Sequence, residues 1–249
     1  GNIVGGKGGS SFNGKPGSDG SVGFGIFDDS GNLVTIERNV IREIFGGDAG
    51  DIDGGSLGSV GAGMAIRASN AANVTIRNNS AWFVRTGLGG TSAGAYCVRI
   101  DSVNPATIQH LTCSDVAYQT ASVGFGVRSF GSGNGVTIEN SIFDRVQGTC
   151  VKNDDLQSTM EVSYSNFNLC STADIDNALT RGFIYNDPPG LALDPPGNTS
   201  LLPTSTLIDA GDPGSSYENE PSPNGCKVNL GAFGNTPLAT AAPNAMHCN

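Results

Sequence analysis

Four cations fall at matching points of the chain: Arg67 in GMAIR, Arg99 in YCVRI, Arg128 in FGVRS and Lys152 in CVKND, with Phe27 at the same point of GFGIF. Each follows an inward-facing aliphatic residue by one position, so each faces outward if these segments are strands, because successive side chains alternate across a sheet. If the segments also stack, the cations form a ladder with a spacing of about 4.8 Å. Like charges set side by side repel, so something must offset them. One reading is an anionic ligand lying along the sheet, in particular a uronate-bearing polysaccharide bound by Arg67, Arg99, Arg128 and Lys152. The other is local pairing, since Asp101 lies two residues after Arg99, Asp154 two after Lys152, and Asp28 directly follows Phe27.

The acidic residues pose a similar choice. Asp154 and Asp155 in CVKNDD, and Asp209, Asp212, Glu218 and Glu220 further on, are dense enough to be weighed as ligands for calcium, a hard cation that takes several oxygens. Aspartates at strand ends and beside Pro213, Pro221 and Pro223 equally build tight turns. No cofactor is required, and calcium is the one ion the pattern would suit. His110 and His247 are the only histidines. His110 is expected to be a bend residue bonded to backbone rather than a catalytic or metal-binding group. Asn73, Asn78 and Asn198 match the N-x-Ser/Thr acceptor pattern, although the first two lie in or beside a strand segment.

The elements that would position these residues repeat. LVTIERNV (33–40), NVTIRNNS (73–80), ATIQHLTC (106–113), GVTIENSI (135–142) and EVSYSNFN (161–168) share one grammar. Inward candidates stand two apart, at Val34/Ile36, Val74/Ile76, Ala106/Ile108, Val136/Ile138 and Val162/Tyr164, which is the period of a strand. Two residues on come Arg38, Asn78, His110, Asn140 and Asn166; asparagine suits a bend there because it tolerates left-handed backbone. The cation-bearing strand precedes each copy, and a third strand follows it: VIREIF, AWFVR, SDVAY, FDRVQ and FNLCS. The anchors fall 40, 32, 30 and 26 residues apart, with the excess in glycine-rich loops at 5–23, 46–63 and 87–95. Three short strands per unit, repeated with loops of changing length at one corner, predict a parallel β-helix rather than an antiparallel sandwich.

Composition agrees. Glycine supplies 37 of 249 residues and charged residues only 14%, the profile of a chain that turns often. A net charge of −10 argues against nucleic acid or an anionic membrane as the main partner. No apolar run is long enough to span a bilayer. Six cysteines, Cys97, Cys113, Cys150, Cys170, Cys226 and Cys248, form no C-x-x-C pair, so they are disulfide candidates in an oxidising, extracellular setting. Their spacing leaves all 15 pairings open.

The V-T-I-x-N grammar over residues 20 to 170 resembles the right-handed parallel β-helix proteins of the pectate-lyase-like superfamily. FIYNDPPGLALDPPGNTSLLPTSTLIDAGDP (183–213) and NEPSPNGCKVNLGAFGNTP (219–237) are similar to the closing segment of many secreted bacterial members, which usually carry Arg where Lys227 stands. The resemblance implies an all-β, right-handed parallel β-helix of about five to six coils over 1–170. Final coils and a Pro/Gly-rich capping tail, with Cys226 tied to Cys248, would follow over 171–249. The superfamily spans lyases, hydrolases, adhesins and fibre proteins, so it leaves the chemistry open. Its lyases use a Lys or Arg base, a role open here to Lys152 with Arg128 beside it; its hydrolases use a Gly-His-Gly turn that this chain lacks. The chain begins without a capping segment, as if midway through a coil. The expectation is therefore a secreted or cell-surface structural protein whose copies stack head to tail into fibres and bind acidic polysaccharide. The alternative is a calcium-dependent uronate lyase.

Overall fold

The computed structural model describes residues 3–4, 19–50, 59–89, 93–117, 123–131, 135–192 and 198–242. Cys248, Pro243, His247 and parts of the glycine-rich loops (5–18, 51–58 and 90–92) lie outside the described residues. The described chain is all-β, and every pairing between its strands is parallel, as in a parallel β-helix or solenoid.

Three columns of strands account for the stack. The first holds β2 (Gly23–Asp28), β5 (Gly63–Ser69), β8 (Gly94–Asp101), β11 (Val123–Phe130), β14 (Gly148–Asn153) and β16 (Ala173–Asp176). The second holds β3 (Leu33–Glu37), β6 (Asn73–Arg77), β9 (Ala106–Gln109), β12 (Val136–Glu139) and the first half of β15 (Met160–Cys170). The third holds β1 (Ile3–Val4), β4 (Val40–Phe45), β7 (Ser80–Arg85), β10 (Thr112–Val116), β13 (Ile142–Val146) and the second half of β15. β17 (Leu179–Tyr185) closes the series by pairing with both halves of β15.

The register stacks like on like. Ile36, Ile76, Ile108, Ile138 and Val162 form one inward column, and Ile26, Ile66, Val98, Val127, Val151 and Ile175 another. Their β-branched side chains suit a pleated surface and fill the interior shared by the three strand columns. Ala81, Cys113, Phe143 and Phe167 form a third inward column, ending in two parallel rings 5.2 Å apart. Space for these rings comes from Gly126, where a Cβ would lie 2.5 Å from Phe143 Cδ1 and 2.4 Å from the Cys150 carbonyl oxygen.

One register differs from the sequence expectation. Ile138 pairs with Val162, so the fifth inward pair is Met160/Val162 and not Val162/Tyr164. The bend residue of that copy is accordingly Tyr164, with φ of 41°, and not Asn166, which stacks on Ile142. The apolar ring of Tyr164 mimics a core residue in a sequence alignment, and the unbroken strand from 160 to 170 removes the turn signal that would have corrected the frame. The bend itself is as expected: Arg38, Asn78, His110 and Asn140 have φ between 51° and 57°. A second left-handed column, Glu43, Phe83, Asp115, Arg145 and Leu169, carries no asparagine and was invisible in the residue types.

The disulfides join the first column of strands to the third. Cys97 bonds Cys113 and Cys150 bonds Cys170, closing loops of 16 and 20 residues. Closures of that length contribute about 3 kcal/mol each in the chain-entropy account. Cys226 is also disulfide-bonded. Such bonds fit an oxidising compartment.

Replacing Phe143 by Ala is expected to lower the urea-unfolding free energy by about 3–5 kcal/mol through cavity formation. Gly126→Ala is expected to be destabilising for the opposite reason, overpacking against Phe143. Equilibrium unfolding of both variants followed by far-ultraviolet circular dichroism checks the two signs.

Candidate functional site

The expected cation ladder is present on the outer face of the first column. Register places Phe27, Arg67, Arg99, Arg128, Lys152 and Asp176 in one row. The structure offsets their repulsion with carboxylates set between them. Asp101 accepts from Arg67 at 2.7 Å and from Arg99 at 2.9 Å. Asp154 pairs with Arg128 and lies 3.6 Å from Lys152, which also reaches Asp176 at 2.8 Å.

A second row, Phe24, Met64, Tyr96 and Phe125, runs beside the first. Arg67 lies over Phe24 and Phe27, Arg99 over Tyr96 and Phe130, and Arg128 over Phe125 and Phe130. Each guanidinium is thus held by a carboxylate edge-on and by ring faces, both favourable for a delocalised cation. This is the local-pairing arrangement. Lys152 in particular has its pKa raised, first by its hydrogen bond to Asp176, which makes it a poorer proton acceptor. A general base needs the opposite shift.

The acidic residues named as calcium ligands are occupied separately. Asp154 serves the ladder, Asp155 accepts from the Gln157 amide, and Asp212 accepts from the Gly214 amide. Burial raises the pKa of Asp209, partly offset by its hydrogen bond to the Gly225 backbone. Among the described residues no group of three or more His, Cys, Asp or Glu side chains gathers where it could hold a metal ion. Glu220 binds backbone: its Oε1 accepts from the amides of Asn229 and Asn235 at 2.9 and 2.7 Å. That carboxylate folds the 219–239 segment on itself.

Sequence reasoning missed where the bend residues point. Asn78 and Asn140 do not bond their own main chain; they receive the tail. Asn78 Nδ2 donates to the carbonyls of Ala232 and Gly234, and Asn140 Oδ1 accepts from the Asp212 amide while its Nδ2 donates to Ser215. Asn166 exchanges two bonds with the Asp187 backbone, and Thr112 Oγ1 accepts from the Ala232 amide. The described tail therefore runs along the flank of the coils, from the fifth copy back to the second. His110 is part of this seam: its ring packs against Gly234, and burial pushes its pKa down to about 4, partly offset by a hydrogen bond with the Asn229 backbone.

Two cavities open where tail meets coils. One, of about 400 Å³, is polar and contains Arg77, Gln109, His110, Glu139 and Asp212. Burial raises the Glu139 pKa, Gln109 partly offsets this, and the neighbouring Asp212 carboxyl adds to the rise. The other, of about 470 Å³, lies between Arg38, Val40 and the tail residues Phe233 to Leu238. A further network went unseen on the third column: Trp82 Nε1 donates to Asp115 at 2.6 Å, and Arg145 bridges Asp115 to the buried Asp144. The alternation of Asp and Arg in SDV and FDRV was its signal.

No family model, no curated protein and no solved structure matches this chain.

The seam makes a pH prediction. Because the folded pKa of His110 is below the ordinary value of 6.5, its contribution is complete above pH 6.5 and is lost as pH falls toward about 4. At 1.36 kcal/mol per unit this amounts to about 3 kcal/mol. The raised carboxyls Glu139, Asp144, Asp209 and Glu220 oppose it, since their contributions are lost as pH rises. The difference in unfolding free energy between wild type and His110→Asn, titrated from pH 7 to 4, isolates the histidine. It is expected to shift by about that amount in favour of the variant.

Proposed function

We propose that this chain is a right-handed parallel β-helix with three strands per coil, of the pectate-lyase-like kind, exported from the cell as a structural protein that stacks head to tail into fibres. Pairing of each strand with the strand three places on, in a parallel register, supports the coil reading; the disulfides support an extracellular site.

The observation that carries the assembly reading is the state of the two terminal edges. Among the described residues, β16 and β17 pair on one side only, as do β2 and β3 at the other end. Each open edge offers a row of unpaired N–H and C=O groups. Apolar side chains accompany both: Leu179 and Phe183 are 57% and 67% exposed at one end, Leu33 and Val40 79% and 59% at the other. Parallel stacking of one edge on the other continues the same register. Because the two surfaces differ, the contact does not close and gives a filament.

The lyase alternative gains no support from the ladder, where Lys152 is held protonated and Arg128 is held by Asp154 and two rings. Glycan binding along that row would have to displace carboxylates already in place.

Analytical ultracentrifugation across concentration, with negative-stain microscopy, tests the assembly. Wild type is expected to form filaments as concentration rises, and the double variant Leu179→Lys/Phe183→Lys to remain monomeric with unchanged thermal unfolding. A wild type that stays monomeric at every concentration and salt overturns the reading.

A further inference from the structure

The last coil stops short. β17 lies beside β15 with Arg181 next to Ser163 and Tyr185 next to Asn166, and Asn166 continues the row of Val40, Ser80, Thr112 and Ile142. Tyr185 thus holds the place of the first residue of a third-column strand, and β17 ends there. Beyond it the chain turns aside, where Asn186 bonds Asp174 and the Asp187 amide donates to Asn166. Among the described residues the far half of this coil's third strand is therefore missing. At the corresponding end of the preceding strand, Val146, Gln147, Leu169, Cys170 and Ser171 line a cavity of about 430 Å³, and Leu169 is exposed.

The first coil carries the complementary piece. β1 pairs with the far half of β4, Ile3 beside Ile44 and Val4 beside Phe45. Ile44 belongs to the row of Val84, Val116, Val146 and Cys170. One level outside the first coil, β1 occupies the places that the last coil leaves empty, and the places of residues 41–43 separate it from the point where β17 ends.

The two ends also agree in chemistry. Carried one step on, the register sets Ile175 over Ile26 of a second copy, joining a core column whose end members are only partly buried. It also sets Arg181 beside Glu37, so that the ion pairs Arg181–Glu161 and Glu37–Arg77 merge into one row of alternating charge.

We propose, on the assembly reading above, that neighbouring copies share a coil: β1 of one copy enters the seat at Leu169 and Cys170 of the next and completes its last third strand. Within the chain, the amides of Ala117, Gln147 and Ser171 donate to the carbonyls of Val84, Val116 and Val146. The same ladder brings the Val4 amide to the Cys170 carbonyl across the junction. A slip of one residue would set inward residues over outward ones, so the shared coil admits one register.

Cysteine cross-linking tests the register, and variants of the seat test the shared coil. Leu179 shares a row with Thr35, and both are exposed. Filaments grown from a mixture of Leu179→Cys and Thr35→Cys are expected to oxidise to a covalent dimer on a non-reducing gel. A mixture of Leu179→Cys with Leu33→Cys is expected to give about a tenth as much, because Cα atoms more than about 7 Å apart cannot be bridged without backbone movement. Leu169→Glu and removal of residues 1–4 are each expected to raise the concentration at which filaments appear by about tenfold or more. Thermal unfolding of monomeric Leu169→Glu is expected to match wild type. Stronger cross-linking through Leu33→Cys overturns the register. Filaments that appear at the wild-type concentration in both seat variants overturn the shared coil and leave head-to-tail stacking in place, whereas a wild type that forms no filament overturns both.

Discussion

Parallel backbone pairing from coil to coil is the constraint from which the rest of the molecule follows. Once strands stack in register, each side chain has a counterpart from the next coil about 4.8 Å away. Apolar columns benefit, because the isoleucine and valine rows pack continuously through the interior. Charged columns do not, and the molecule answers by threading Asp101, Asp154 and Asp176 between the cations and laying their guanidinium groups on rings. The backbone obeys the same rule: left-handed residues recur at matching corners whatever their identity, from arginine and histidine to phenylalanine and tyrosine. Register overrides the modest local cost of a non-glycine residue at positive φ.

The bends create a second demand. A column of polar side chains on the flank of a solenoid needs partners if it is to be covered, since buried unpaired polar groups are costly. The tail supplies them as backbone. It has little regular structure of its own, and its carbonyls and amides are spent on Asn78, Asn140 and Asn166. Internally it is organised by the buried Glu220 carboxylate and by Asn229, whose Nδ2 donates to the Thr240 carbonyl. The VNLGAF alternation is therefore the apolar and hydrogen-bonding edge of a strap. Leu230 packs with Leu207 and Ile142, and Val228 is fully buried.

Surface chemistry is the remainder of these two accommodations. Cations placed in the stacked rows are neutralised by their neighbours, because stacking brings carboxylates to them as regularly as it brings other cations. The groove at Arg38 lies at the margin of both systems, beside the first coil and at the far reach of the strap. There, among the described residues, the repeat supplies Arg38 with no carboxylate.

The residues alone determined the parallel stack, the strand positions and the cation row, because a period of two with matching classes at matching places is a local signal that survives loops of changing length. They also determined that the bend would be left-handed at Asn78 and Asn140. Only the tertiary structure showed how the charges of the row are offset, since Asp101 lies 34 residues from Arg67 and its carboxylate is shared between Arg67 and Arg99. The disulfide pairs, the frame of the fifth copy and the course of the tail belong to the same class. The bonds from Asn78 to Ala232 and Gly234 cross 154 and 156 residues, and no spacing rule in a sequence encodes a contact whose partners are main-chain atoms. A backbone carbonyl has no residue type to read.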